Sequence, residues 1–161
     1  MRRGDAGALE SAVFTDGAAA WLDRTGLAAE TGAAAPARRG AETMAGEWTR
    51  EVHLDDFEAA VLEASHAVPV LVDFWADWCA PCHAIAPHLA KVIESATGRI
   101  HLAKVEVDEG ENMKLAGRYQ LRGFPTVILF RDGAESGRFA GARTAAWIGQ
   151  WLDAQLPGWG S

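Results

Sequence analysis

The sequence predicts an α/β domain, a central mixed sheet of five strands flanked by about four helices. Three observations predict it. From residue 47 onward, apolar runs of strand length alternate with segments of helical periodicity. One run, "VPVLVDFW" (68–75), is almost continuously apolar, as in a strand covered on both faces. The element order reads β-α-β-α-β-α-β-β-α, and mixed order of this kind puts helices on both sides of a sheet.

The elements follow in turn. "EWTREVHL" (47–54) alternates Trp48, Arg50 and Val52 against polar neighbours and reads as the first strand. Asp55 and Asp56 are placed to cap "FEAAVLEAS" (57–65), where Phe57, Ala60 and Val61 recur at helical spacing. After the apolar strand, a helix runs from Cys79 to about Ala96 and gathers Ile85, Leu89, Val92 and Ile93 on one face. "RIHLAKVEVD" (99–108) is a strand and "ENMKLAGRYQ" (111–120) a short helix. "TVILF" (126–130), "RDG" and "ESGRFAG" (135–141) form a hairpin. "TAAWIGQWLDAQL" (144–156) closes the chain as a helix that buries Trp147, Ile148, Trp151 and Leu152.

The 161 residues suit one domain with an appendage. Residues 1–46 include 21 Ala or Gly, too poor in large apolar side chains to build a core. They read as a mostly flexible extension with room for short helices around Val13, Phe14, Trp21, Leu22 and Leu27. The domain is expected over 47–157, with 158–161 as a tail. A net charge of −7 and a pI near 5.2 argue against a nucleic-acid partner. No run approaches the roughly 18 apolar residues of a membrane helix. The first residues carry arginines but no apolar export region, so the expected compartment is the cytoplasm.

The chemistry concentrates in "WCAPCH" (78–83), which holds both cysteines. C-x-x-C beside a strand and a helix reads as a thiol–disulfide motif, and C-x-x-C-H as a haem attachment site. Metal ligation by Cys79, Cys82, His83 and His88 is a third reading. Two cysteines this close cannot staple a long loop, which excludes a structural disulfide framework. Cys79 falls where a strand gives way to a helix, and Pro81 is tolerated in a first helical turn. Free N–H groups and the helix dipole favour a thiolate there, lowering a cysteine pKa from ~8.5 into a range of roughly 3.5–7.5. Cys79 is thus placed to attack a disulfide, and Cys82, one turn on, to displace the mixed disulfide.

Asp73 interrupts the apolar strand six residues before Cys79. It is either a carboxylate paired with a cation or a buried acid of raised pKa that exchanges a proton with Cys82. Lys104 is its expected neighbour, modulating that titration or reaching for solvent from the sheet edge.

"VDFWADWCAPC", "AKVEVD", "RGFPTVILFRDG" and "FAGA" together resemble the thioredoxin family over about residues 47–157. The resemblance implies the thioredoxin fold and a protein-disulfide reductase, with Cys79 attacking, Cys82 resolving, Asp73 as the buried acid and Lys104 beside it. Trp75 and Trp78 match the tryptophans flanking the site, and Pro125 the family's cis-proline. Trp78, Ala80, Pro81, Phe124, Pro125, Gly141 and Ala142 would line the substrate groove. The resemblance implies no cofactor beyond the reversible cysteine pair. It implies as partners disulfide-containing client proteins and a thioredoxin reductase carrying FAD and using NADPH, with the protein itself a monomer.

Three departures stand out. Ala80 replaces a usual glycine, and His83 a frequent lysine or arginine, which makes the charge beside the site pH-dependent. The extension sits where a second bacterial thioredoxin type carries a zinc module, but it contains no cysteine, so no zinc site is expected. Haem attachment lacks an export signal, and zinc at Cys79, Cys82, His83 and His88 lacks a second cysteine pair. His53, His66 and His101 read as surface or packing residues. Two other functional classes remain as alternatives, a non-catalytic binding module on this fold and a disulfide isomerase or oxidant. Retention of Cys79, Cys82, Asp73 and Pro125 speaks against the first, and Ala-Pro between the cysteines against the second.

Overall fold

The computed structural model describes residues 44–160, so the expectations for residues 1–43 and Ser161 lie outside the described residues. Five strands are hydrogen-bonded: β1 (Thr49–Glu51), β2 (Val70–Trp75), β3 (His101–Glu106), β4 (Thr126–Arg131) and β5 (Ala134–Ala140). They lie in the order β1-β3-β2-β4-β5, with β1, β3 and β2 parallel and β4 and β5 antiparallel to their neighbours. The hairpin falls at "RDG", where Asp132 and Gly133 both take positive φ, as a two-residue turn requires.

Four helical segments cover the sheet. The first, α1, winds as a π-helix over Glu58–Glu63 and tightens into a 3-10 turn at Ala64–His66. The others are α2 (Ala80–Ala96), α3 (Met113–Arg118) and α4 (Ala145–Gln155). On one face, α1 and α3 pack against alternate residues of β2, β3 and β4, such as Val72, Val105 and Ile128. Phe57, Phe74, Tyr119 and Phe130 meet there with ring centroids 5.4 to 6.5 Å apart. Each buried ring of this size stabilises the fold by roughly 1.5–3 kcal/mol. On the other face, α2 and α4 cover Leu71, Leu102, Val127 and Leu129.

Two local expectations need correction. Trp48 and Val52 do not share a face, because Trp48 closes a 3-10 turn (Met44–Trp48) and packs on the α2 side while Val52 is buried on the other. A turn of three residues per revolution breaks the two-residue alternation of a strand. Trp48 lies over Gly98, where a Cβ would come within 3.0 Å of its indole nitrogen. Asp56 does not act simply as a helix cap. Its buried carboxylate accepts from the His53 amide at 2.7 Å and from Arg50 at 3.0 Å, fastening the end of β1 to the start of α1. At the C-terminus, Trp159 packs against the α2–α4 core and donates to Asp153, so packing continues beyond residue 157.

Candidate active site

The C-terminal ends of β2 and β3 and the start of β4 lie at one edge of the sheet, since Trp75 pairs with Glu106 and Phe74 with Thr126. The end of β5 joins them through Thr126 and Ala140. Four connecting segments therefore converge there. The first leaves β2 as "ADWC" and turns into α2, with the Cys79 amide donating to the Ala76 carbonyl.

Cys79 is the N-cap of α2, with extended backbone, and its Sγ accepts from the Cys82 amide at 3.3 Å. Pro81 lies in the first helical turn, where it forfeits no helical hydrogen bond. Cys79 and Cys82 are joined in a disulfide, both nearly buried, while Ala80 and Pro81 between them are exposed. A thiolate at Cys79 would meet an aligned N–H and the positive end of a 17-residue helix.

Trp78, just before the pair, is 67% exposed, the most accessible large apolar side chain described. It is nonetheless held in place. Its indole N–H donates to Asp108, and its ring meets Phe124 edge-on at 6.2 Å. The Phe124–Pro125 peptide is cis, and the Pro125 carbonyl accepts from the Gly141 amide at 2.9 Å. Ala142 follows as an exposed residue. The far end of that loop is fixed by His88, whose Nδ1 accepts from the Ala145 amide at 3.1 Å.

Beneath the edge, Asp73 shares its side of the sheet with Leu71, the side covered by α2. It is 1% exposed, and its Oδ1 has no hydrogen-bond partner among the described residues. Burial pushes its pKa from 3.8 up to about 7, against a smaller lowering by the Lys104 ammonium. Lys104 stands directly across from it in register and lays its Nζ over the Trp75 ring at 5.0 Å. Trp75 also meets His83 edge-on at 6.0 Å, and His83 Nε2 lies 2.7 Å from the Asp77 carbonyl. His83 thus faces the rim of the site, and His88 is engaged with α4. Among the described residues no three His, Cys, Asp or Glu side chains gather in a group able to hold a metal.

A sequence profile of the thioredoxin family matches residues 49–154. The chain belongs to the thioredoxin family. It is 42% identical over 102 residues to the thioredoxin of Acidithiobacillus ferridurans, covering 63% of this chain and 91% of the relative. With the thioredoxin of Pseudomonas aeruginosa it shares 40% identity over 100 residues, 62% of this chain and 89% of that one. The thioredoxin of Mycolicibacterium smegmatis is 42% identical over 92 residues, 57% of this chain and 80% of the relative.

Family and geometry agree on the activity. The chain is a thiol–disulfide oxidoreductase, a protein-disulfide reductase whose redox group is the Cys79–Cys82 disulfide and whose substrates contain disulfides. No described helix is long and apolar enough to cross a membrane.

Two residues at this edge escaped the sequence reading. Asp108 lies in the turn two residues after β3, and it meets Trp78 because β3 runs parallel beside β2, a neighbour relation the sequence does not print. His88 carried a signal only as a candidate metal ligand. Its actual partner, a backbone amide on α4, depends on how α2 packs against α4.

Proposed function

We propose that this chain reduces disulfides of client proteins in the cytoplasm and is returned to its dithiol by an FAD-containing thioredoxin reductase using NADPH. The domain over 47–157 would carry the chemistry, acting as a monomer, with 1–46 as an extension. The observation that carries the reading is Cys79 as N-cap of α2, its sulfur on the Cys82 amide and Trp78 exposed beside it.

The cycle balances as follows. An extended client segment lies along Phe124, Pro125, Gly141 and Ala142, with Trp78, Ala80 and Pro81 at its edge. Free main-chain groups beside the cis-proline can pair with it as an added strand. The Cys79 thiolate attacks one client sulfur; the client S–S bond breaks, a Cys79–client bond forms, and a client thiolate leaves. Cys82 gives its proton to Asp73, and its thiolate attacks Cys79 Sγ. The mixed disulfide breaks, the second client thiolate departs, and Cys79–Cys82 closes. The client gains two electrons in all, and its two thiolates take up the proton that Cys82 passed to Asp73 and the one that Cys79 lost to solvent on ionising. Lys104 holds the Asp73 titration in range, since its charge opposes burial.

Insulin reduction by the full-length protein with thioredoxin reductase and NADPH tests this. Steady NADPH consumption is expected, and absence of turnover with fully oxidisable cysteines would overturn it. His83 adds a prediction about poise. A permanent cation at this rim favours thiolate over thiol, so His83→Lys should raise the reduction potential relative to wild type. A glutathione redox titration showing equal potentials would remove His83 from the site.

A further inference from the structure

A cleft of about 400 Å³ opens next to the Phe124–Pro125 segment, walled by Tyr119–Gly123 on one side and by Thr126, Arg138 and Ala140 on the other. Its charge runs against that of the chain, which is −7 overall. Arg138 is pinned in the wall. Two of its nitrogens donate to Glu135, and Nη1 donates to the Tyr119 carbonyl at 2.9 Å. Arg118 lies against the Tyr119 side chain. Glu135 answers Arg138, whereas Arg122 is exposed and makes no hydrogen bond or ion pair among the described residues.

The cleft continues the groove described above. Arg122 stands two residues before Phe124, whose ring touches Trp78, and Ala140 directly precedes Gly141. No atom outside Arg122–Phe124 lies within 4 Å of where a Cβ on Gly123 would stand, so no other segment covers that side of Gly123. An extended segment advances roughly 3.3 Å per residue, so a client leaving the redox groove reaches Arg122 within a few residues of its cystine.

We propose that this cleft docks an acidic segment flanking the client's cystine, with Arg122 as the cation that reads a client carboxylate. Arg122 is then a specificity residue for the reductase reaction, and the inference rests on the groove reading given above. An unpaired guanidinium offers a carboxylate a fork of parallel N–H donors, which an ammonium does not. A rim charge of this kind acts on encounter and is weakened by salt.

Two peptides with the same cystine core test it, one flanked by an Asp/Glu triplet and the other by Ser/Asn. Turnover is followed with the full-length protein, and fluorescence anisotropy measures binding of cysteine-free versions of the same peptides. The acidic peptide should bind and turn over about fivefold better, the ratio matching ~1 kcal/mol for an exposed charge pair. The preference should sit in KM, vanish in Arg122→Gln, reverse in Arg122→Glu, and shrink as ionic strength rises from about 0.05 to 0.5 M. Equal binding of the two peptides, or a preference untouched by Arg122→Gln, would overturn the proposal. Loss of turnover for both peptides with the binding preference intact would refute the redox reading alone and leave the docking surface supported.

Discussion

Replacing Cys79 with serine should bring disulfide reduction down to the rate seen without protein, whereas replacing Cys82 should leave the first step intact and stop the second. Only Cys79 caps a helix with its sulfur on an aligned amide, so only its thiolate is stabilised for attack. A serine hydroxyl at that position does not ionise near neutral pH and cannot replace the nucleophile. Cys82→Ser still forms the Cys79–client bond but has no thiol to break it. One client per chain should therefore accumulate as a covalent adduct on a non-reducing gel, released by dithiothreitol. The reverse pattern, an adduct on Cys82 in Cys79→Ser, would exchange the two roles.

Asp73→Asn should stabilise the oxidised protein in a pH-dependent way. The folded chain holds the Asp73 proton up to about pH 7, whereas the unfolded chain releases it near 3.8. Between these values the folded state binds more protons, so rising pH destabilises it, and the loss is complete above about pH 7. At 1.36 kcal/mol per pH unit, that interval amounts to on the order of 4 kcal/mol. Asparagine carries no charge at any pH. The variant should match wild type below about pH 4 and exceed it by several kcal/mol at pH 8.5, as read by urea denaturation at both ends. A stability difference that does not change with pH would show that Asp73 is not buried as an acid.

The same substitution removes the proton acceptor proposed for Cys82. Release of the mixed disulfide should slow by about 10²-fold at pH 7, the lower end for a positioned proton acceptor, because water can stand in for it. One variant thus gains stability and loses rate. A residue kept only for packing would not couple the two.

Asp73 also marks how far sequence reading reaches. A carboxylate inside "VLVDFW" announces burial, because a strand apolar at nearly every position is covered on both faces. Which face it meets, and that Lys104 stands across from it, depends on β3 inserting between β1 and β2. Asp56 misled for a related reason. Two acids before a helix suggest a cap, but Arg50 and the His53 amide compete for the carboxylate once β1 is in place.

By itself, the sequence determined the order of strands and helices, the "RDG" hairpin and the placing of the cysteine pair at a strand–helix junction. Those features rest on periodicity, turn chemistry and helix-end electrostatics, which act between residues near in the chain. Only the tertiary structure decided that Trp78 is held by Asp108 and Phe124, that Gly141 is tied to Pro125, and that Arg122 opens beside the groove. Each joins segments between 16 and 46 residues apart, or places them side by side, at one sheet edge. Their meeting is set by strand order and register, which no local pattern encodes.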